Sequence, residues 1–287
     1  DKWEYPWYAA WDLAFHVLPL SLVDPDFARE QLDLLLREHY LHPNGQIPAY
    51  EWNFSDVNPP VHAWATVFNH ELSLVRHGQA DVGFLKHAFQ KLLLNFTWWV
   101  NRKDRFGKNV FEGGFLGLDN IGVFDRSSAL PTGGYLEQAD GTAWMAIYAQ
   151  DMLQMAVYLA RHDPVYEDMA LKFFEHFLWI ASAMNRSGEG HGRMWDEEDG
   201  FFYDVLRFPD GGATRLKVRS MVGLLPLCAA ATFDPSTMER LKRLAERTQR
   251  FIEKRPEVLA DITDLRVPGY GGRSLLSLLD EEKLRRV

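Results

Sequence analysis

The 287-residue sequence predicts an all-α, two-layered helical toroid, and three observations predict it. Segments of helical length and periodicity follow one another along almost the whole chain. They come in two kinds, amphipathic and apolar nearly all round, as an outer and an inner layer of helices require. The connections between them are irregular, with no linker that would divide the chain and no short repeat that would favour a solenoid. Residues 1–287 therefore read as a single domain.

The helical segments lie near residues 5–22, 24–40, 60–77, 82–101, 140–161, 165–184, 216–232 and 235–254. In "DPDFAREQLDLLLREHY", Asp24 suits an N-cap and Pro25 the first helical position. Phe27, Leu32, Leu35 and Leu36 recur on one face, opposite Arg29, Glu30, Asp33 and Arg37, so this helix belongs outside. By contrast "GTAWMAIYAQDMLQMAVYLARH" is apolar nearly all round and reads as an inner helix. Residues 102–139 and 186–215 form longer connections than compact domains favour, which marks both as functional candidates. Within the second, "DEEDGFFYDVLRFPDGG" reads as a turn or short hairpin, because Gly and Asp punctuate aromatic and apolar runs. The closing "LLSLLDEEKLRRV" reads as a helix with acidic residues at its start.

Composition excludes several functions. With 47% hydrophobic and 25% charged residues the chain is an ordered globular protein, and a net charge of −9 without any basic run argues against nucleic acid as a partner. No apolar run approaches the roughly 18 to 20 residues of a membrane-spanning helix. Ten histidines occur without HExxH, CxxC or clustered spacing, so neither a metal nor a cofactor is expected. Asp196, Glu197, Glu198 and Asp199 crowd one turn but lack the spacing of a calcium loop. Cys228, the single cysteine, lies in "MVGLLPLCAAATF" and reads as a buried thiol with no disulfide. Asn53, Asn95 and Asn185 begin glycosylation sequons, which matter only in a secreted eukaryotic setting. A cytoplasmic, bacterial location is the expectation, although the chain begins at Asp1 without a methionine and a leader could precede it.

Aromatic residues point to a ligand class. They make up 14% of the chain, and "WEYPWYAAWD" sets Trp3, Tyr5, Trp7, Tyr8 and Trp11 beside Asp12. Aromatic faces cover the C–H surface of a sugar ring while carboxylates and amides take its hydroxyls, a combination that suits a small-molecule carbohydrate. The same mixture recurs in "GQIPAYEWNFSDVNPPVHAWA", where Trp52 and Asn58 precede Pro59 and Pro60. Those prolines should hold an extended loop before the helix that carries His62 and Trp64. Residues 113–146, "GGFLGLDNIGVFDRSSALPTGGYLEQADGTAWMA", form a polar, glycine-rich stretch with four acidic groups, Asp119, Asp125, Glu137 and Asp140.

"WEYPWYAAWDLAFH", "IPAYEWNFSDVNPPVHAWA", "GGFLGLDNIGVFDRS", "LEQADGTAWMA" and "LKVRSMVGLLPL" together resemble, in order and across almost the whole chain, the bacterial members of glycoside hydrolase family 63. The resemblance implies an (α/α)6 barrel that hydrolyses α-glucosidic or α-mannosidic bonds of small glycosides with inversion. It makes Asp119 the catalytic general acid and Trp11 with Asp12 the sugar-binding pair. Tyr5, Trp52 and Asn58 join them as substrate-binding candidates, with Trp52 a stacking residue. Glu137 and Asp140 fall in the motif after the acid and are expected to orient Asp119 rather than react. Arg219, at the expected start of the 216–232 helix, is a candidate for a substrate carboxylate or hydroxyl, or for a structural ion pair.

The chemistry of inversion asks for one protonated carboxyl and one carboxylate about 6.5 to 9.5 Å apart. Asp119 must therefore have a raised pKa, with Phe115, Leu116 and Leu118 to bury it or Asp125, Glu137 or Asp140 to supply a negative field. The family's catalytic base is a glutamate near a Trp-Arg-Gly motif, and residues 220–287 match neither. About nine helical segments are visible where six hairpins need twelve. The expectation is a fragment truncated at both ends that folds without turnover, its base beyond residue 287. Two other classes stay open: another (α/α)6 sugar enzyme, such as a trehalase-like hydrolase or an epimerase, and a non-catalytic carbohydrate-binding toroid.

Overall fold

The helices sort into two layers by the way their N-termini are closed. The computed structural model describes residues 3, 7–114, 121–122, 124–185, 192–259, 262 and 267–287. In chain order it contains α1 (Ala10–Val23), α2 (Pro25–Leu36), α3 (His62–His77), α4 (Val82–Lys103), β1 (Tyr135–Glu137), α5 (Ala139–Ala160) and α6 (Tyr166–Asn185). There follow β2 (Trp195–Asp196), β3 (Phe201–Phe202), β4 (Asp204–Arg207), β5 (Ala213–Leu216), β6 (Ala230–Phe233), α7 (Pro235–Arg240), α8 (Lys242–Lys254), β7 (Ser274–Ser277) and α9 (Glu281–Arg286).

The outer helices α2 and α4 are capped locally: Asp24 accepts from the Phe27 amide at 3.0 Å and Asp81 from the Phe84 amide at 2.9 Å. The inner helices α1, α3 and α5 have Ala9, Val61 and Gln138 at their N-caps, and none of these side chains caps its own helix. The inner three run parallel and side by side. Asn69 of α3 donates to Ser21 of α1 at 2.9 Å, Arg76 of α3 reaches the Leu22 carbonyl, and His70 of α3 meets Tyr158 of α5 edge-on at 4.2 Å. Outside them, His87 of α4 pairs with Asp33 of α2 at 3.0 Å, and Phe96 of α4 packs on Phe173 of α6. α5 is buried along almost its whole length, as its all-round apolar sequence predicts. On α2 the buried face is Ala28, Leu32, Leu35 and Leu36, whereas Phe27 points outward.

Short strands decorate this frame. β4 lies between β1 and β5 in an antiparallel sheet with Leu206 opposite Leu136 and Thr214, while β2 pairs with β3. The hairpin expected around residues 196–212 is thus two successive hairpins. The helix expected over 216–232 does not form: after β5 come two short 3-10 turns, Met221–Gly223 and Leu225–Cys228, and then β6, which pairs with β7. Gly223 packs against Phe201 so closely that a Cβ would sit 2.1 Å from its ring, and Pro226 lacks the amide a continuous helix needs. Cys228 is exposed on the second turn, not buried. The 235–254 helix breaks at Leu241, which is buried and has a non-helical backbone (φ −108°, ψ 56°), and β7 is followed by the Asp280-capped α9.

Buried polar groups tie the layers. Asn95 donates to the Gly45 carbonyl and accepts from Tyr148, and Asn185 donates to the Leu278 carbonyl, so two of the three sequon asparagines are held in the interior. Among the described residues no helix is long and apolar enough to cross a membrane. Asp151 of α5 is buried with one carboxyl oxygen unpartnered, and burial, with Glu71 adding, raises its pKa well above the usual carboxylate value. The fold then holds a proton that the unfolded chain has released, so stability falls as pH rises above about 4. Asp151→Asn is expected to flatten this fall in Tm between pH 4 and pH 7; parallel curves for the two proteins would show that Asp151 is ionised in the fold.

Candidate active site

The N-termini of the inner helices gather loops from three parts of the chain. The loop after α2 folds back on the start of α1: Ala9 and Tyr50 form a bridge, and the Ala10 amide donates to the Ala49 carbonyl at 2.8 Å. Asn58 Oδ1 accepts from the Trp11 amide at 3.4 Å, a long contact that supplies from 47 residues away what Ala9 cannot. Trp11 and Asn58 are therefore neighbours, and Asp12 stands exposed beside them.

Trp11 also begins a row of edge-on rings with Phe15 and Trp64, each step 5.8 Å. Trp52 is 64% exposed, with its indole N–H on the His39 carbonyl and one face against Tyr40. Tyr8 packs edge-on against Tyr40 at 4.5 Å, which links Trp52 to the start of α1. His62, at the start of α3, is buried, and burial pushes its pKa down to about 4, so it is neutral. Tyr5 and Asp119 lie outside the described residues.

What the structure does describe is how the residues on either side of the segment around Asp119 are held. On its N-terminal side, Gln138 Oε1 accepts from the Gly113 and Gly114 amides, the latter at 2.8 Å, and its Nε2 donates to the Gly114 carbonyl at 3.1 Å. The Phe111 amide donates to Thr142, one turn into α5. Gly114 has φ +72°, and a Cβ there would meet Asp56 Oδ1 at 3.2 Å, so this strand also abuts the loop that carries Asn58.

On the C-terminal side, Arg126 is buried and forks onto both oxygens of Asp140, with its Nε 3.0 Å from Asp204. Asp204 in turn accepts from the Ala139 amide at 2.8 Å and so closes the N-terminus of α5. Burial raises the pKa of Asp204; Arg126 opposes the rise and Asp140 adds to it. Arg126 and Asp204 face a cavity of about 20 Å³ with Ile121, Phe124 and Val218, room for about one water.

The three acids expected to supply a negative field are each held by partners. Glu137 pairs with Arg207 at 2.7 Å and Asp140 with Arg126, so both carboxylates are matched by cations. Asp125 is exposed in a turn, where the Ser128 hydroxyl and Ser127 amide hold its carboxyl below the usual range. Asp204 is the second carboxylate on one guanidinium, and with its pKa raised to about 7 it is only partly ionised near neutral pH.

Asp204, Arg126, Gln138 and Arg207 were not singled out in the sequence. Asp204 carried one available signal, an acid inside a run of buried aromatic and aliphatic strand residues. Arg219 follows β5, not an inner-helix start. It is exposed, donates to the Asp199 carbonyl at 2.8 Å and lies over the Phe201 ring. In the acidic turn, Lys217 bridges Asp196 at 2.9 Å and Asp199 at 3.0 Å, and Arg215 also bonds Asp196, so a lysine ammonium stands where a calcium ion was considered.

A profile of the mannosylglycerate hydrolase MGH1-like glycoside hydrolase domain matches residues 5–260. The uncharacterized protein YMR196W of Saccharomyces cerevisiae is 52% identical over 299 aligned residues, which take in all of this chain and 27% of that protein. The chain thus spans about a quarter of the length of this curated relative. Among solved structures, an uncharacterized conserved protein from Thermus thermophilus superposes with a TM-score of 0.60 at 18% identity, over 87% of this chain and 71% of that one. The GH63 mannosylglycerate hydrolase from the same organism, in complex with Tris and D-glycerate, gives 0.59 at 17% identity over 87% and 72%. Its complex with glucose gives 0.58 at 19% over 87% and 71%. At these identities the superpositions show the shared (α/α)6-type fold.

Arg126→Met leaves Asp140 and Asp204 buried without their cation and is expected to cost about 3–5 kcal/mol in denaturant unfolding; a loss below about 1 kcal/mol would show that the cluster is solvated. Gln138→Leu is expected to speed amide exchange at Gly113 and Gly114 while exchange in α6 stays unchanged.

Proposed function

The chain belongs to the mannosylglycerate hydrolase MGH1-like glycoside hydrolase family, and on that premise we propose that it carries the general acid of an inverting α-glycosidase. Asp119 is the proposed acid. The observation that supports this most is the double anchorage of the surrounding segment to the N-terminus of α5, through Gln138 before it and Arg126 after it. Anchors on both sides of a segment limit where a proton donor between them can go, and general-acid catalysis needs such positioning.

In the proposed reaction Asp119 protonates the glycosidic oxygen as its bond to the anomeric carbon breaks. Water adds from the opposite face and gives a proton to a second carboxylate about 6.5 to 9.5 Å from the first. That base is assigned to no residue between 1 and 287. Phe115, Leu116 and Leu118 are the proposed apolar surroundings that keep Asp119 protonated. Trp11, Asp12, Asn58 and Tyr5 are proposed to hold the sugar ring, and Trp52 to stack at the rim. Asp140 is proposed to act on the loop through Arg126, Glu137 to brace β1 against Arg207 of β4, and Arg219 is read as structural.

The proposed substrates are small α-glucosides or α-mannosides. Because the Thermus hydrolase has been seen with glucose and with D-glycerate, hexosides of glycerate are the first to test. Hexose release by the natural-length polypeptide and by its Asp119→Asn variant, over α-glucosides, glucosylglycerate and mannosylglycerate, checks the assignment. A loss of about 10²- to 10⁴-fold in kcat is expected; equal release by both proteins would remove Asp119 from the mechanism.

A further inference from the structure

The inner helices also bound a cavity at their other end. Tyr158 is about 28 Å further along α5 than Ala139, at 1.5 Å per residue. There the last turns of α3 and α5 and the β6–α7 junction enclose about 140 Å³, with His70, Glu71, Gln154, Tyr158, Arg161 and Asp234 in the lining. This is space for several waters or one small solute.

The floor contains a polar atom with nothing to bond. His70 is 8% exposed and its Nε2 has no hydrogen-bond partner. Burial pushes the His70 pKa down to about 4, so the ring is neutral and each nitrogen has one role, donor or acceptor. Its edge rests on Tyr158 at 4.2 Å. An orphaned buried nitrogen is costly unless something enters the cavity to meet it. Among the described residues, the side chains of Glu71, Gln154, Arg161 and Asp234 also make no hydrogen bond or ion pair within the chain, although Arg161 lies over the Tyr158 ring.

We propose that this cavity is a second carbohydrate site, separate from the loop face, which takes a neutral polyhydroxy compound of about monosaccharide size. Ligand charge is constrained by the lining. An anion would face Glu71 and Asp234, and an ammonium would face Arg161. A hydroxyl group both donates and accepts, so a polyol satisfies acids, guanidinium, amide and imidazole together. Val67, Met155 and Phe233 complete the wall with apolar surface for the C–H side of the ring. The inference uses no residue of the loop face and stands independently of the hydrolase reading.

The test is photolabelling of the natural-length polypeptide with a diazirine-bearing methyl glucoside, followed by peptide mapping. Labelling is expected within residues 67–74 and 154–161, competed by glucose. It should weaken about tenfold or more in the Glu71→Gln/Arg161→Met double variant and stay unchanged in Asp12→Ala. Glu71 and Arg161 are both exposed, so the double variant keeps the fold, which circular dichroism checks. Labelling confined to the loop face, no labelling of these segments at saturating probe, or labelling that the double variant leaves intact would each overturn the proposal and leave the cavity to water.

Discussion

Arg126 lies between Asp140 and Asp204, with its side chain 2% exposed and that of Asp140 fully covered. Withdrawing three charges from water is expensive, and ion pairing offsets the cost only when the remaining hydrogen-bonding capacity is also used. Here it is used. Asp204 takes the Ala139 amide and Asp140 takes the Gly141 amide, both at the positive end of the α5 dipole. Such a cluster contributes more to specificity than to stability. It forms only when the loop ending at residue 126, the first turn of α5 and strand β4 are all in place, so it selects one arrangement of three segments remote in sequence.

Much of the site face depends on that selection. With α5 fixed, Gln138 presents its amide to Gly113 and Gly114, and Gly114 in turn sits against the Asp56–Asn58 loop that closes α1. The inner helices run parallel, so their N-termini share one end of the molecule and their C-termini the other. The two ends differ chemically: one carries glycine-rich loops, exposed aromatics and buried carboxylates, the other a small cavity with a neutral imidazole at its floor.

The outer layer could be read from the sequence because its signals are local. Asp24 and Asp81 cap helices that begin one residue later, and the amphipathic face of α2 is visible in a single window. The burial of α5 was readable for the same reason. The start of α5 was placed within one residue, but the groups that close α1 and α5 were not visible, since Asn58 and Asp204 act from 47 and 65 residues away. The 216–232 segment misled because an apolar run of this length fits a buried helix or a strand with turns; the Phe201 contact at Gly223, which decides between them, is tertiary. Trp11, Asp12 and Asn58 were singled out through composition and motif. Arg126 and Gln138 had no local signal, because their roles exist only once the loop has folded onto α5.

The central claim is that the clamped segment presents Asp119 to a sugar bound beside Trp11 and Asp12. A crystal structure of the natural-length polypeptide with bound glucose tests it most directly. The account requires the Asp119 carboxyl within about 3 Å of the anomeric hydroxyl oxygen, as a proton donor must be, with Asp12 on the ring hydroxyls. Glucose bound at this face with Asp119 turned away, and another acid at the anomeric oxygen, would contradict it.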